Sequence, residues 1–335
     1  MQAYIPDIAI VITTYKRQEL LRGLLQSIRE LEVGPAAIVV VDNEKSSETE
    51  AIAAQFNVER YVAMENNTGG AGGFSRGVAE AYQMGHKWFW LMDDDVAVLP
   101  NAIEELAKWT LKTDTDLANG IPISQTVGAF QPARRNYDSS FFYWQYKFST
   151  KFGMQNPLAS AKRVQSQPST PINCLCFEGG LVHRRAVEEA GLPDARFFIY
   201  ADDTIYGYVL SQYTKMLFIN DYTLIRTRTM QTMRVGSARK LTPASDMSRY
   251  YIMRNRGYMA NYLKLYRQYN PLFFKLGTAY TLAKELVRLF VSGSTADKRS
   301  SLRELRRGMR DSRAIKHDAQ WHPYSKVCSL PHTEA

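Results

Sequence analysis

HKWFWLMDDD, from His86 to Asp95, is an unbroken apolar and aromatic run that stops in three consecutive carboxylates. A short run of this kind reads as a strand buried on both faces, which requires helices above and below a sheet. The upstream pattern agrees. IAIVITTY (Ile8 to Tyr15), AIVVVDN (Ala37 to Asn43) and VERYVAM (Val58 to Met64) read as strands. Helical patterns lie between them, one over Gln18 to Leu31 with Leu20, Leu21, Leu24, Leu25 and Ile28 on one face, another from Gly73 to about Met84. Strands alternating with helices imply βαβ units on a mostly parallel sheet, the α/β class. Several of these strands end in polar or acidic residues, where open α/β sheets bind ligands.

Downstream, Thr113 to Thr170 gives mixed signals and reads as irregular structure around a site. A strand is expected at Asn173 to Val182 and, after FFIYADD (Phe197 to Asp203), a helix to about Tyr213 and a strand at Lys215 to Asn220. Three helices follow, at about 246–267, 271–291 and 299–313.

The 335 residues, 45% apolar and 22% charged, are enough for one large domain or a catalytic domain with an appendage. The net charge of +9 is unevenly spread. Between Arg226 and Lys316 stand 21 basic and 5 acidic residues, a net +16, which leaves −7 on the remainder. That split divides the chain into a catalytic body, about 1–240, and a basic helical region, 241–335, that meets an anionic partner. Within the body, a first half is expected to about residue 125 and a second over 126–240. Cys174, Cys176 and Cys328 show no zinc spacing and fit a reducing compartment. Neither an export signal nor a spanning helix is expected.

Asp93, Asp94 and Asp95 would repel one another at a strand end, and a hard divalent cation, Mg2+ or Mn2+, would offset that repulsion. A solvated acidic turn or a helix cap ahead of Pro100 is the alternative. NNTGGAGGF (Asn66 to Phe74) places four glycines before a helix, which lets backbone amides approach phosphates. Its spacing is not G-x-G-x-x-G, which argues against a nicotinamide-dependent oxidoreductase. Asp202 and Asp203 form a second acidic pair, one suited to taking a proton and the other to capping the next helix. The run Phe141, Phe142, Tyr143, Trp144, Tyr146 and Phe148 reads as core, with one or two rings facing a groove. His183 is assigned no metal. NPLFFKLGTAYTLAKELVRLF (Asn270 to Phe290) mixes basic and apolar positions and suits either an anionic bilayer or a helical lid.

The order VITTYKR, VVVDN, NNTGGAGGF, WFWLMDDDV, FEGGLVHRRAVEEAGLPDARFFIYADD, RYYIMRNRGYM resembles the inverting family-2 glycosyltransferases over about residues 6–260. The resemblance is closest to bacterial galactofuranosyltransferases and O-antigen or cell-wall rhamnosyltransferases. It implies a GT-A fold with nucleotide at Thr13, Thr14, Tyr15, Asp42, Asn43, Asn67, Gly69, Gly70, Gly72 and Gly73, and with Arg76 near the diphosphate. It also implies diphosphate and metal at the triplet, with Asp93 and Asp95 as ligands and Asp94 beside the donor, and it makes Asp203 the base. Tyr200, Trp144, Gly179 and Gly180 are the acceptor-side candidates. The implied partners are UDP-galactofuranose or dTDP-rhamnose, a lipid-linked glycan acceptor and an anionic membrane surface, with no nucleic acid. The implied location is the cytoplasm, on the inner face of the bacterial membrane. Three positions depart from the family pattern: Thr227 stands where a metal histidine is found, Ala201 where an acceptor-stacking tryptophan is common, and Ile205 where an acidic residue is frequent. A non-enzymatic basic protein binding membrane or nucleic acid would leave both acidic clusters unexplained. A sugar-nucleotide pyrophosphorylase would need an N-terminal glycine loop that is missing.

Overall fold

Ile8–Thr14 and Ala37–Asp42 are buried at every position, as strands covered on both faces must be. The computed structural model describes residues 4–142, 146–229, 233–235, 239–241, 244–291 and 298–324. The expected alternation is present: β1 (Ile8–Thr14), α1 (Gln18–Arg29), β2 (Ala37–Asp42), α2 (Ser47–Gln55), β3 (Arg60–Ala63), α3 (Gly69–Gln83) and β4 (Trp88–Asp93). Next come β5 (Val96–Val98), α4 (Ala102–Ala118), β6 (Val127–Arg135), β7 (Tyr146–Ser149), β8 (Met154–Pro157), α5 (Ala161–Gln165) and β9 (Ser169–Pro171). They are followed by β10 (Gly180–His183), α6 (Arg184–Ala190), α7 (Asp202–Leu210), β11 (Lys215–Arg226), β12 (Met233–Val235) and β13 (Arg239–Leu241). The chain closes with α8 (Asp246–Arg254), α9 (Arg256–Leu265), α10 (Pro271–Val291) and α11 (Lys298–Lys316).

The main sheet has the order β3-β2-β1-β4-β10-β6-β11-β5, with β9 also paired to β11. β1 to β4 are parallel, and β10 runs antiparallel to β4 and β6. Register decides the site: Thr13 lies beside Asp93, and Thr14 beside Asp42. The polar ends of three strands therefore form one row. Apolar clusters cover the two faces of the sheet, one around Leu21, Leu25, Trp90 and Leu106, the other around Val11, Phe74, Val78 and Leu91.

The region from Thr113 to Thr170 is more regular than expected. β6 runs through the sheet, its Pro132 paired with Ile219 next to a register shift in β11, where the missing amide donor is tolerated. The expected strand at Asn173 to Val182 shrinks to Gly180–His183, because Gly179 at φ +98° breaks the extended chain before it. The glycine turn proves to be the first turn of α3. Phe142 and Phe148 are buried, as expected of core rings, whereas Trp144 and Cys328 lie outside the described residues.

The C-terminal helices share a core with the body. Met259, Ala260, Tyr262 and Leu263 pack with Phe197, Ile205, Tyr208 and Val209. Gly207 permits the approach of α7 to residues 174–175, since a Cβ there would stand 2.1 Å from the Leu175 amide nitrogen. Gly207→Ala is expected to cost about 2 kcal/mol or more. Gly23→Ala in α1, where a Cβ meets nothing within 4 Å, should gain up to about 1 kcal/mol. Paired denaturant melts check the contrast.

Candidate active site

Asp94 is buried and committed. Its Oδ2 accepts from Thr14 Oγ1 at 2.7 Å, and its Oδ1 from Arg17 Nη1 at 3.0 Å. Arg17 also stands 3.7 Å from Asp95. The middle carboxylate thus anchors the loop to β1, while Asp93 and Asp95 keep partial exposure. Burial first, and then Asp95, Glu178, Asp94 and Asp202, hold the Asp93 carboxyl well above its usual range. Thr13 Oγ1, in register with Asp93, and Thr227 Oγ1, whose backbone amide donates to Asp95 O at 3.0 Å, are buried without a hydrogen-bond partner among the described residues. Among the described residues no three acidic, histidine or cysteine side chains close a cage by themselves. Asp93 and Asp95, with only Arg17 near the latter, offer the hard oxygen donors that a Mg2+ or Mn2+ ion would take.

Asn43 ties this edge to α3. Its Oδ1 accepts from Thr68 N and Oγ1 at 3.0 and 2.9 Å, and its Nδ2 donates to Gly69 O at 3.3 Å. Asn67 Oδ1 receives the Gly69 amide at 2.9 Å. A Cβ on Gly73 would meet Thr13 at 2.3 Å, and one on Gly69, at φ +69°, would meet Phe198 O at 2.1 Å. Glycine at both positions lets the positive end of α3 press against the strand ends and the segment that carries the second acidic pair. Asp42 accepts from the amides of Glu44 and Ser46, both at 2.8 Å, and from Tyr61 OH at 2.9 Å, so it shapes the loop after β2. Tyr15 is exposed, with Lys16 5.4 Å from its ring. Arg76 is not brought into this cluster: it pairs with Glu80, which Arg60 of β3 also approaches.

Phe198, Tyr200 and Ala201 have φ of 64°, 69° and 66°, three left-handed residues without glycine. Strain of this kind persists only where the surroundings impose it. Asn255 Nδ2 donates to the carbonyls of Phe197, Ile199 and Tyr200 at 3.0, 2.8 and 2.8 Å. Arg254 donates to Phe197 O at 2.9 Å, Tyr200 OH meets Ser248 Oγ at 2.6 Å, and the Phe198 ring stacks on Tyr251. The segment delivers Asp202 and Asp203 as the first two residues of α7. Neither is the expected N-cap, a place Ala201 takes without a side-chain bond; Asp203 Oδ1 instead accepts from the Thr204 amide and hydroxyl.

Burial raises the Asp203 pKa, opposed by Thr204, Cys176 and Arg134; burial and then Asp203 raise that of Asp202. A Cβ on Gly70 would lie 3.9 Å from Asp202 Oδ2. Since Asp202 also acts on Asp93, the structure brings the two acidic clusters to one place, at the ends of β4 and α3.

Sequence reasoning missed Arg134 and its pairing with Glu178. Arg134, fully buried, lies 3.4 Å from both Glu178 Oε1 and Cys176 Sγ, and Arg226 lies 3.6 Å from the same Glu178 oxygen. Glu178 stands in the FEGG motif, beside the glycines that place it. Gly179 donates to Leu91 O at 2.8 Å and accepts from Trp90 Nε1 at 3.1 Å, and Gly180 pairs with Leu91 in the sheet. His183 caps α6, its Nδ1 accepting from the Arg185 amide at 3.1 Å. Burial and neighbouring Arg185, Lys87 and Arg184 push it down to about 3, so it stays neutral.

A GT-A arrangement of this kind defines a class of nucleotide-sugar enzymes, and sequence places the chain within it. The family model described as Glycosyl transferase family 2 matches residues 9–189, more than half of the chain, which belongs to that family of glycosyltransferases. Over 262 residues it is 25% identical to galactofuranosyltransferase GlfT1 of Mycolicibacterium smegmatis, covering 75% of this chain and 82% of the relative. Over 202 residues it is 28% identical to GlfT1 of Mycobacterium tuberculosis, covering 58% of this chain and 60% of the relative. Among solved structures it is similar to residues 1–349 of S. aureus TarS, with TM-score 0.52, 10% identity, and 92% of this chain and 88% of that one covered. It is also similar to mannosyltransferase PcManGT from Pyrobaculum calidifontis, in complex with GDP-Man and Mn2+, with TM-score 0.50, 13% identity, and coverage of 93% and 86%. These structures share its GT-A fold.

If Asn255 positions the acidic pair, Asn255→Ala takes a donor from the Ile199 and Tyr200 carbonyls, while Phe197 O keeps Arg254. The variant should lose about 1–3 kcal/mol of stability and about tenfold or more in kcat. Melting curves and initial rates read the two effects separately.

Proposed function

We propose that the protein is an inverting galactofuranosyltransferase that moves galactofuranose from UDP-galactofuranose onto a hydroxyl of a lipid-linked glycan. The product would belong to bacterial surface polysaccharide, O-antigen or cell wall, made on the cytoplasmic face of the membrane. The observation that carries the reading is the convergence of Asp93 to Asp95 with Asp202 and Asp203 beside the N-terminus of α3. The GlfT1 relatives support the choice of sugar.

In this reading Thr13, Thr14, Tyr15, Asp42 and Asn43 hold the nucleotide, and the amides of Asn67 to Gly73 face the diphosphate at a helix N-terminus. Asp93 and Asp95 would hold Mg2+ or Mn2+, whose chemistry is to offset charge on the departing diphosphate. Arg17, held by Asp94, adds a fixed positive charge at the same edge. Asp203 takes the proton of the acceptor hydroxyl as its oxygen attacks the anomeric carbon. The bond to the diphosphate breaks on the opposite side, and its electron pair leaves with the nucleotide. A single displacement inverts the configuration. Burial makes Asp203 a stronger base than an exposed carboxylate, while Thr204 and Arg134 keep its ionised form accessible. Tyr200, Gly179 and Gly180 lie on the acceptor side.

Asp203→Asn should lower kcat about 10²–10⁴-fold while leaving UDP affinity within about twofold. Because only the ionised carboxylate accepts a proton, wild-type kcat/KM should fall as pH drops through a value above the usual carboxylate range of about 4. Purified protein supplied with UDP-galactofuranose or dTDP-rhamnose reads the donor. Transfer from the rhamnose donor alone would replace the sugar but keep the base, and full activity of Asp203→Asn with either donor would remove the mechanism.

A further inference from the structure

α10 (Pro271–Val291) turns one apolar stripe to solvent. Leu272, Leu276, Tyr280, Val287 and Phe290 are exposed, Leu276 at 52% and Phe290 at 61%. At 100° per residue these five fall within an arc of about 80°. Lys275 and Lys284, both exposed, flank that arc on opposite sides, and the one acidic residue of the helix, Glu285, is turned inward with 1% exposure. An apolar stripe edged by lysines is the pattern of a helix lying in a bilayer interface, where lysine stems reach up to the headgroups.

The neighbouring helix supplies the matching charge. On α11, Arg299, Arg303, Arg306, Arg310 and Arg313 are exposed and fall within a second arc of about 80°. Arg303, Arg306 and Arg313 have no ion-pair partner among the described residues. Lys298 Nζ stands 5.5 Å from the ring of Phe290, so the apolar stripe runs directly into the basic helix. Among the described residues no helix is long and apolar enough to cross a membrane, so a surface position is what this pair offers.

We propose that the outer faces of α10 and α11 form a docking surface for an anionic phospholipid bilayer, with the α10 stripe in the headgroup boundary and the α11 arginines on the lipid phosphates. The proposal gives the lipid-linked acceptor reading a place to act and rests on it only for its purpose.

The test is sedimentation of the full chain with phosphatidylcholine vesicles, with or without about one-third phosphatidylglycerol, in the absence of donor and acceptor. Failure of the transfer reading therefore leaves the result intact. Wild-type protein should bind the anionic vesicles about tenfold or more tightly than the neutral ones. Leu276→Glu with Phe290→Glu should weaken that binding about tenfold. Arg303→Glu with Arg306→Glu and Arg313→Glu should remove the preference for anionic lipid. All five positions are solvent-facing, and unchanged melting temperatures would show that the variants fold. Equal binding by well-folded wild type and variants, no binding of wild type at low salt, or duplex DNA binding unaffected by the α10 changes would overturn the proposal.

Discussion

Like charge crowded at the end of a buried strand is the constraint on which the site depends. Burial raises the cost of ionising Asp93, and Asp95, Glu178, Asp94 and Asp202 all add to it. The protein answers only part of that charge. Arg17 and Thr14 hold Asp94, while Arg134 and Arg226 approach Glu178. Arg17 reaches Asp95 only at 3.7 Å, and the positive charge that Asp93 still lacks is what a divalent cation can supply.

The second acidic pair reaches this place through helices far along the chain. Asn255 and Arg254, at the junction of α8 and α9, grip the carbonyls of a left-handed segment that would otherwise relax, and α7 begins where that segment ends. The basic C-terminal part is therefore joined to the second acidic pair. Its inner face shares a core with α7, and its outer face carries exposed apolar and arginine stripes.

Much of the fold was legible because the first strands are uniformly apolar and their polar ends repeat. Four parallel strands, the carboxylate triplet and the three late helical stretches all stand close to where periodicity puts them. β6 was not legible, since Gln131, Pro132 and Arg134 interrupt it, and the burial of Arg134 is met by Glu178 and Cys176 from a distant loop and by the Phe142 ring. The glycine run falls ahead of the expected helix because glycine disfavours helix. Only the close approaches of Thr13 and Phe198 explain why it begins one. The buried arginines and Asn255 act through partners far away in sequence, and local pattern carries no sign of such pairings.

A structure of the protein with Mn2+ and UDP tests the account most directly. The account predicts both Asp93 and Asp95 on the metal, the diphosphate at the start of α3, and the Asp203 carboxylate opening onto the same cavity from the acceptor side. A diphosphate bound elsewhere, or an Asp203 carboxylate facing a separate surface, would contradict it.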